Sequence, residues 1–349
     1  MVDIVGSKKQ INSIDLLKFV ACFFIITIHT DPIPGIPVAS SLLQNDVSRI
    51  FLMFFFVVAG YLFFSRLENA AKREKNSVFR AYVMRLFQLY ALWTVVYFPS
   101  FLLLNRQSLE HFEFTTIWDW LREIVFVGSF YHLWFLTALL VGTFLVYGLY
   151  RLTIPSSVAV AISSALYFVG LLGNSYAFLL NNFPALLQLR ENYIELFFTT
   201  RNGLFTAPLF LSLGWWILER KSLPAIKTCM FGLGTAAILL AGEILWLSKY
   251  KTQQELFVML PVASLFLVCI ALQLQIKDLG MCKLLRSYST LIYLVHPIII
   301  LAFRVFSSAL QISNSLIRYL IVAVGSLTVS IVTVHLQRCG KFAWLKYFY

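Results

Sequence analysis

The stretch Lys18-Phe19-Val20-Ala21-Cys22-Phe23-Phe24-Ile25-Ile26-Thr27-Ile28-His29 decides the fold class. Between its two ionisable ends it is almost wholly apolar. With Ile14, Leu16 and Leu17 before it, the run approaches the ~20 residues an α-helix needs to cross the hydrocarbon core of a bilayer. Comparable runs recur along all 349 residues, of which 60% are hydrophobic and only 13% charged, with a mean hydropathy of +0.80. A soluble domain carries about a quarter charged residues, so the polar surface of a water-facing globule is missing. The runs are continuous rather than alternating, which excludes the strands of a β-barrel.

The sequence therefore predicts an all-α, polytopic integral membrane bundle of about ten transmembrane helices, forming a single domain over residues 1–349. The expected spans are 12–31, 47–65, 82–104, 131–150, 156–173, 203–218, 228–247, 256–275, 287–306 and 316–336. With both termini cytoplasmic, Lys and Arg fall roughly two to one on the cytoplasmic side, as the positive-inside rule requires. The net charge of +12 is thus an orientation signal rather than a nucleic-acid footprint. Lys8 and Lys9 precede the first span, but no small-residue cleavage site follows, so the span is expected to remain as an anchor. The five cysteines are an odd set without metal-like spacing and are read as reduced thiols.

Two outer segments, 105–130 and 174–202, are too long for simple turns. They mix aromatics with Glu110, Glu113, Asp119, Glu123, Glu191 and Glu195. Phe114-Thr-Thr-Ile-Trp-Asp-Trp-Leu-Arg-Glu-Ile reads as an amphipathic helix for the interface. Such segments either build a site or plug the outer face. The longest inner loop, Arg66 to Arg80 with Arg85 just beyond, has two readings. One is topogenic charge with headgroup contact; the other is a grip on a phosphorylated cytosolic ligand.

Charges within spans are costly and are usually paired or functional. Eleven residues at ~100° each bring Lys18 and His29 onto one helix face, about 16 Å apart along the axis. That separation suits one wall of a cavity running from the cytoplasmic third to the outer end. In the plainer alternative, Lys18 snorkels toward Asp15, three residues earlier, and His29 sits at the interface beside Asp31. Further polar groups join them. His296 lies mid-span before Pro297, which frees a backbone carbonyl one turn earlier. His132 opens the fourth span, Arg201 the sixth, and Glu243 lies within the seventh. No histidine pair has zinc-helix spacing, and no nucleophile elbow or phosphate-cradling glycine loop is present, which leaves histidine as a proton handler.

These motifs, in order, resemble the acyltransferase-3 family of bacterial membrane acyltransferases. Ile14-Asp15-Leu-Leu-Lys18 through His29 is similar to its first-helix motif of a basic residue, ten positions, then histidine. Phe54-Phe-Phe-Val-Val-Ala-Gly-Tyr61 resembles its second-helix element, and Arg80 and Arg85 fall where it has arginines entering the third helix. His132-Leu-Trp-Phe-Leu136, Arg201-Asn-Gly203 with Gly214, and Ile292-Tyr-Leu-Val-His-Pro297 complete the series. Lysine replaces the commoner arginine at position 18, and Ala59 replaces a common serine.

The resemblance implies transfer of an acyl group, usually acetyl, from cytosolic acyl-CoA to a hydroxyl of an extracytoplasmic acceptor, commonly a cell-envelope glycan. It implies His29 as the general base for the acceptor hydroxyl or a relay for its proton, Lys18, deeper on the same face, as the second catalytic candidate, and Lys18, Arg80 and Arg85 as acyl-CoA-binding. His132, Arg201 and His296 would bind the acceptor or orient His29. No metal or tightly bound cofactor is implied; acetyl-CoA or another acyl-CoA is the co-substrate. The expected partners are acyl-CoA, the acceptor and the lipid bilayer, with no nucleic acid. A homodimer is compatible, and the location is the bacterial cytoplasmic (inner) membrane. The same membrane fold is similar to the N-terminal part of membrane-bound serine racemases, so a transporter of a small amino acid such as serine is the alternative. A non-catalytic scaffold is a third reading, but it leaves the ordered polar residues without a reason.

Overall fold

The structure, a computed structural model, describes residues 11–104, 114–250, 252–277, 280–310, 314–340 and 342–349. Lys8, Lys9, Glu110 and Glu113 lie outside the described residues. Among the described residues there is no strand. The helices are α1 (Asn12–Thr30), α2 (Pro37–Leu42), α3 (Ser48–Glu68), α4 (Lys75–Leu104), α5 (Phe114–Phe126), α6 (Trp134–Arg151) and α7 (Ser156–Gly173). They continue with α8 (Pro184–Phe197), α9 (Ala207–Leu218), α10 (Ile226–Leu247), α11 (Leu260–Gln273), α12 (Cys282–Leu310) and α13 (Ser315–Arg338).

Among the described residues eight segments are long and apolar enough to cross a membrane: α1, Pro37–Glu68, Lys72–Ser100, α6, α7, α10, Cys282–Ser307 and α13. The ten expected spans coincide with ten apolar helices, but two of these fall short. Helix α9 has 12 residues and α11 has 14, about 18 and 21 Å of rise against a ~30 Å core. The expected spans 203–218 and 256–275 therefore open with backbone that is not helical. The causes are local. Pro208 and Pro261 fall in the first turns of the two helices, where proline is tolerated because the N–H is unused there. The residues before them are held by side chains instead of by helical bonds.

The chain divides into two compact units. One comprises residues 1–58, 220–246 and 259–349; the other comprises 59–219 and 247–258. In the first, α12 packs on α13 and on α1. The core between these three helices is built from Cys22, Ile26, Ile292, Ile300, Val322 and Ala323, with Phe19, Phe23, Tyr288 and Tyr319 against it. Helix α1 ends at Asp31, whose left-handed backbone (φ 44°) turns its N–H back onto the Thr27 carbonyl. Pro32 and Pro34 then deny further helical bonds. A π-helical turn, Leu43–Val47, leads into α3, and Ser48 Oγ closes its widened ring by donating to the Leu43 carbonyl at 2.7 Å. Glu243 accepts the Met259 N–H at 3.2 Å and so caps α11.

In the second unit, aromatic stacks join the helices: Phe64 on Trp215 at 4.8 Å and Phe79 on Tyr147 at 4.0 Å. Two glycines of the sequence motifs are sites of close approach. A Cβ at Gly60 would overlap the Leu211 carbonyl, and one at Gly203 would meet Val141 Cβ and the backbone of Ala138. Helix α5 forms where the amphipathic tract was expected, with Trp118, Leu121 and Val125 exposed on one side.

Candidate active site

In the first unit α1 carries Lys18 and His29 to different depths, both partly buried. His29 lies one residue before the end of the helix. There α12 brings in His296, and the two imidazoles stack with centroids 5.4 Å apart and planes 27° from parallel. His296 is fully buried, and its Nδ1 lies 3.1 Å from the Ile292 carbonyl. A carbonyl only accepts, so Nδ1 donates, and the neutral ring then carries its hydrogen there. Pro297 leaves α12 unbroken from Cys282 to Leu310. The missing N–H falls at the turn that holds His296, so the ring sits where helical bonding is already relaxed.

The N-terminal end of α1 adds a partner from another helix. Asp15 is buried, and a forked salt bridge reaches it from Arg286 on α12: Nε to Oδ1 at 2.9 Å and Nη2 to Oδ2 at 2.8 Å. The sequence looked for a partner of Asp15 only along its own helix, at Lys18, whereas this two-pronged partner comes from another helix. The planar guanidinium matches both carboxylate oxygens at once, which an ammonium cannot do. At the C-terminal end, Asp31 turns to Ser40, which donates to it at 2.5 Å. The structure thus gives Asp31 a hydrogen bond from the short helix α2.

The second unit holds the other group. His132 is 3% exposed and lies edge-on to Tyr97 and Phe130, with centroids at 4.9 and 5.8 Å. Arg201 Nη1 pairs with Glu255 Oε1 at 2.6 Å, and its guanidinium lies over the Trp134 ring at 4.5 Å. Burial pulls the Arg201 pKa down from its ordinary value and Glu255 opposes the shift. Even so, a guanidinium stays charged throughout the working range. Two asparagines serve the non-helical stretches around this pair. Asn202 Oδ1 accepts the N–H groups of Leu204 and Phe205 at 3.0 and 3.2 Å. Asn174 Oδ1 accepts those of Glu255 and Leu256 at 2.9 and 3.1 Å. Buried irregular backbone is stable only when so satisfied. Arg80 is exposed and Arg85 half-buried on α4.

The structure therefore joins His29 with His296, and separately Arg201 with Glu255 and Trp134. Sequence reasoning missed Glu255, Asn174, Arg286 and Arg318. Each partners a residue remote in sequence, and only the charge of Glu255, just ahead of an apolar run, hinted at a role. All five cysteines are free thiols. Among the described residues no group of three or more His, Cys, Asp or Glu side chains is placed to hold a metal ion.

Comparison with known proteins gives a consistent picture. An amino-acid racemase of Enterococcus faecalis is 30% identical over 336 residues, covering 95% of this chain and 47% of the relative. A serine/alanine racemase of Enterococcus gallinarum is 28% identical over 351 residues, covering 96% and 47% respectively. The chain thus spans about half the length of the curated relatives it matches. No solved structure matches it. Residues 11–335, nearly the whole bundle with the His29–His296 pair, match the family described as an acyltransferase domain, and the chain belongs to this acyltransferase-3 family.

Proposed function

We propose that the chain is an O-acyltransferase of the bacterial cytoplasmic membrane, with both termini in the cytoplasm. It moves an acyl group, acetyl by the family's usual donor, from cytosolic acyl-CoA to a hydroxyl of an extracytoplasmic acceptor, a cell-envelope glycan. The observation that carries this reading is the stacked His29–His296 pair within a chain of this family. In this reading His29 takes the proton of the acceptor hydroxyl as its oxygen attacks the thioester carbonyl. The C–S bond breaks, the acyl carbon passes to the acceptor oxygen, and the CoA thiolate takes the proton back from the imidazolium. His296 holds the His29 ring in register. Lys18 faces the pantetheine arm, Arg80 and Arg85 hold phosphates at the cytosolic mouth, and Arg201 and His132 serve the acceptor. Acyl-CoA is a co-substrate and no tightly bound cofactor is required.

Purified protein in nanodiscs, given labelled acetyl-CoA and envelope glycans, tests this directly: label moves to glycan with the wild type and fails to move with His29→Ala. A second reading is favoured by the racemases that the chain matches over half their length: a carrier for a small amino acid such as serine. Uptake of labelled serine into proteoliposomes, with no acyl transfer, would establish that reading instead.

A further inference from the structure

Arg318 stands in the first turn of α13 and is partly buried. Its Nε donates to the carbonyl oxygen of Thr30 at 3.0 Å, and Nη2 donates to the same oxygen and, at 3.4 Å, is near Ser315 Oγ. Thr30 follows His29 and ends α1, so the guanidinium sits on the terminal carbonyl of the helix that carries the histidine. Among the described residues no carboxylate lies within ion-pair distance of Arg318, and Nη1 makes no hydrogen bond. The acidic residue next in the chain, Asp31, is engaged by Ser40 instead.

Capping a carbonyl accounts for two of the nitrogens but not for the charge. A helix C-terminus offers about half an elementary charge, shared over several carbonyls. A partly buried cation in an apolar bundle is usually paired with an anion or used to bind one. A guanidinium with one edge fixed and the other open presents N–H donors in the geometry that suits a carboxylate or a phosphate. The nearest acidic residue along the chain, Asp31, is held by Ser40 of α2.

We infer that Arg318 reads an anionic group, a carboxylate or a phosphate, carried by the acceptor next to the hydroxyl that is acylated. The inference rests on the reading of His29 as the group that receives the acceptor proton. Under it, the acceptor is an acidic sugar or a comparably charged hydroxy compound, and a neutral sugar is a poor one.

The test is a binding measurement that needs no turnover. Thermal unfolding of the full chain in detergent is followed with D-glucose, D-glucuronate or D-glucose 6-phosphate, at ionic strength matched with sodium chloride because screening weakens exposed charges. The wild type is expected to be stabilised more by at least one of the two anions than by glucose, and the arm that responds identifies the anion class. Arg318→Gln removes the preference. Arg318→Lys keeps the charge without the fork and retains a weaker preference, which guards against a Gln variant that folds poorly. In acyl transfer the Lys variant raises KM for an anionic acceptor about tenfold, the scale of a charged hydrogen bond, and leaves kcat near the wild-type value. Equal stabilisation of the wild type by all three sugars, or a preference that persists in Arg318→Gln, overturns the inference. Anion preference without any acyl transfer overturns the acyltransferase reading and leaves the anion site standing.

Discussion

His296 stacks on His29 at 5.4 Å between ring centroids, although 267 positions separate them in the chain. In the proposed reading His296 acts through His29 by holding its ring in register, so their substitutions are expected to be strongly non-additive. His296→Phe keeps an aromatic ring against His29 and removes the nitrogens. It is predicted to lower kcat about 10- to 100-fold while the protein remains folded. The double variant with His29→Ala should be no slower than His29→Ala alone. Independent, multiplying losses in acetyl-transfer assays would contradict a shared role.

The fork from Arg286 to Asp15 fixes the N-terminal end of α1 against α12. Asp15 is 3% exposed at its side chain and Arg286 50%, so the pair lies between the buried and surface regimes. Removing one partner should cost about 2–3 kcal/mol, below the 3–5 of a fully buried pair and above the ~1 of a surface one. Asp15→Asn is predicted to lower the unfolding temperature by several degrees. Exchanging the two charges, Asp15→Arg with Arg286→Asp, should recover part of the loss. A neutral outcome for Asp15→Asn would show that the fork contributes nothing net.

Glu123, on the amphipathic helix α5 outside the candidate spans, has its carboxyl pKa pushed up by burial. At acidic pH both folded and unfolded chains hold the proton, and burial carries no electrostatic cost. As pH rises through the ordinary carboxylate range the unfolded chain releases its proton first. Stability therefore falls until the raised folded-state value is passed. Glu123→Gln is predicted to be more stable than the wild type at neutral pH and to lose that advantage near pH 4. Thermal melts across pH 4–8 read this, and an advantage that is constant with pH would count against it.

Arg80 and Arg85 lie one turn and a half apart on α4, the first exposed and the second half-buried. As phosphate holders they should act on donor binding alone. Arg80→Gln with Arg85→Gln is expected to raise KM for acetyl-CoA about tenfold, leave kcat within a factor of two or three, and weaken the dependence of KM on salt. An unchanged KM for acetyl-CoA would remove both residues from the donor site.

How far the sequence carried the account depends on the range of each interaction. Continuous apolar runs made the membrane class and the helix positions legible, because twenty apolar residues leave a chain few alternatives. The face shared by Lys18 and His29 followed from helix geometry. That His296 meets His29 did not, because no local period joins α1 to α12. The fork from Arg286 onto Asp15 was hidden for the same reason: an i, i+3 rule sees one helix, while Arg286 arrives from another. The short α9 and α11 were hidden because apolar composition cannot distinguish a helix from buried irregular backbone. Asn174 and Asn202, which satisfy that backbone, looked like ordinary polar residues near loops.

The central claim is that His29 receives the acceptor's proton during acyl transfer. The most direct measurement is the single-turnover rate of label transfer from acetyl-CoA to envelope glycan in nanodiscs, for the wild type and His29→Ala, with folding of both verified by thermal melts. The account predicts a fall of about 10²- to 10⁴-fold, the range of a positioned general base, with acetyl-CoA still bound. A folded His29→Ala protein that transfers label at the wild-type rate would contradict it.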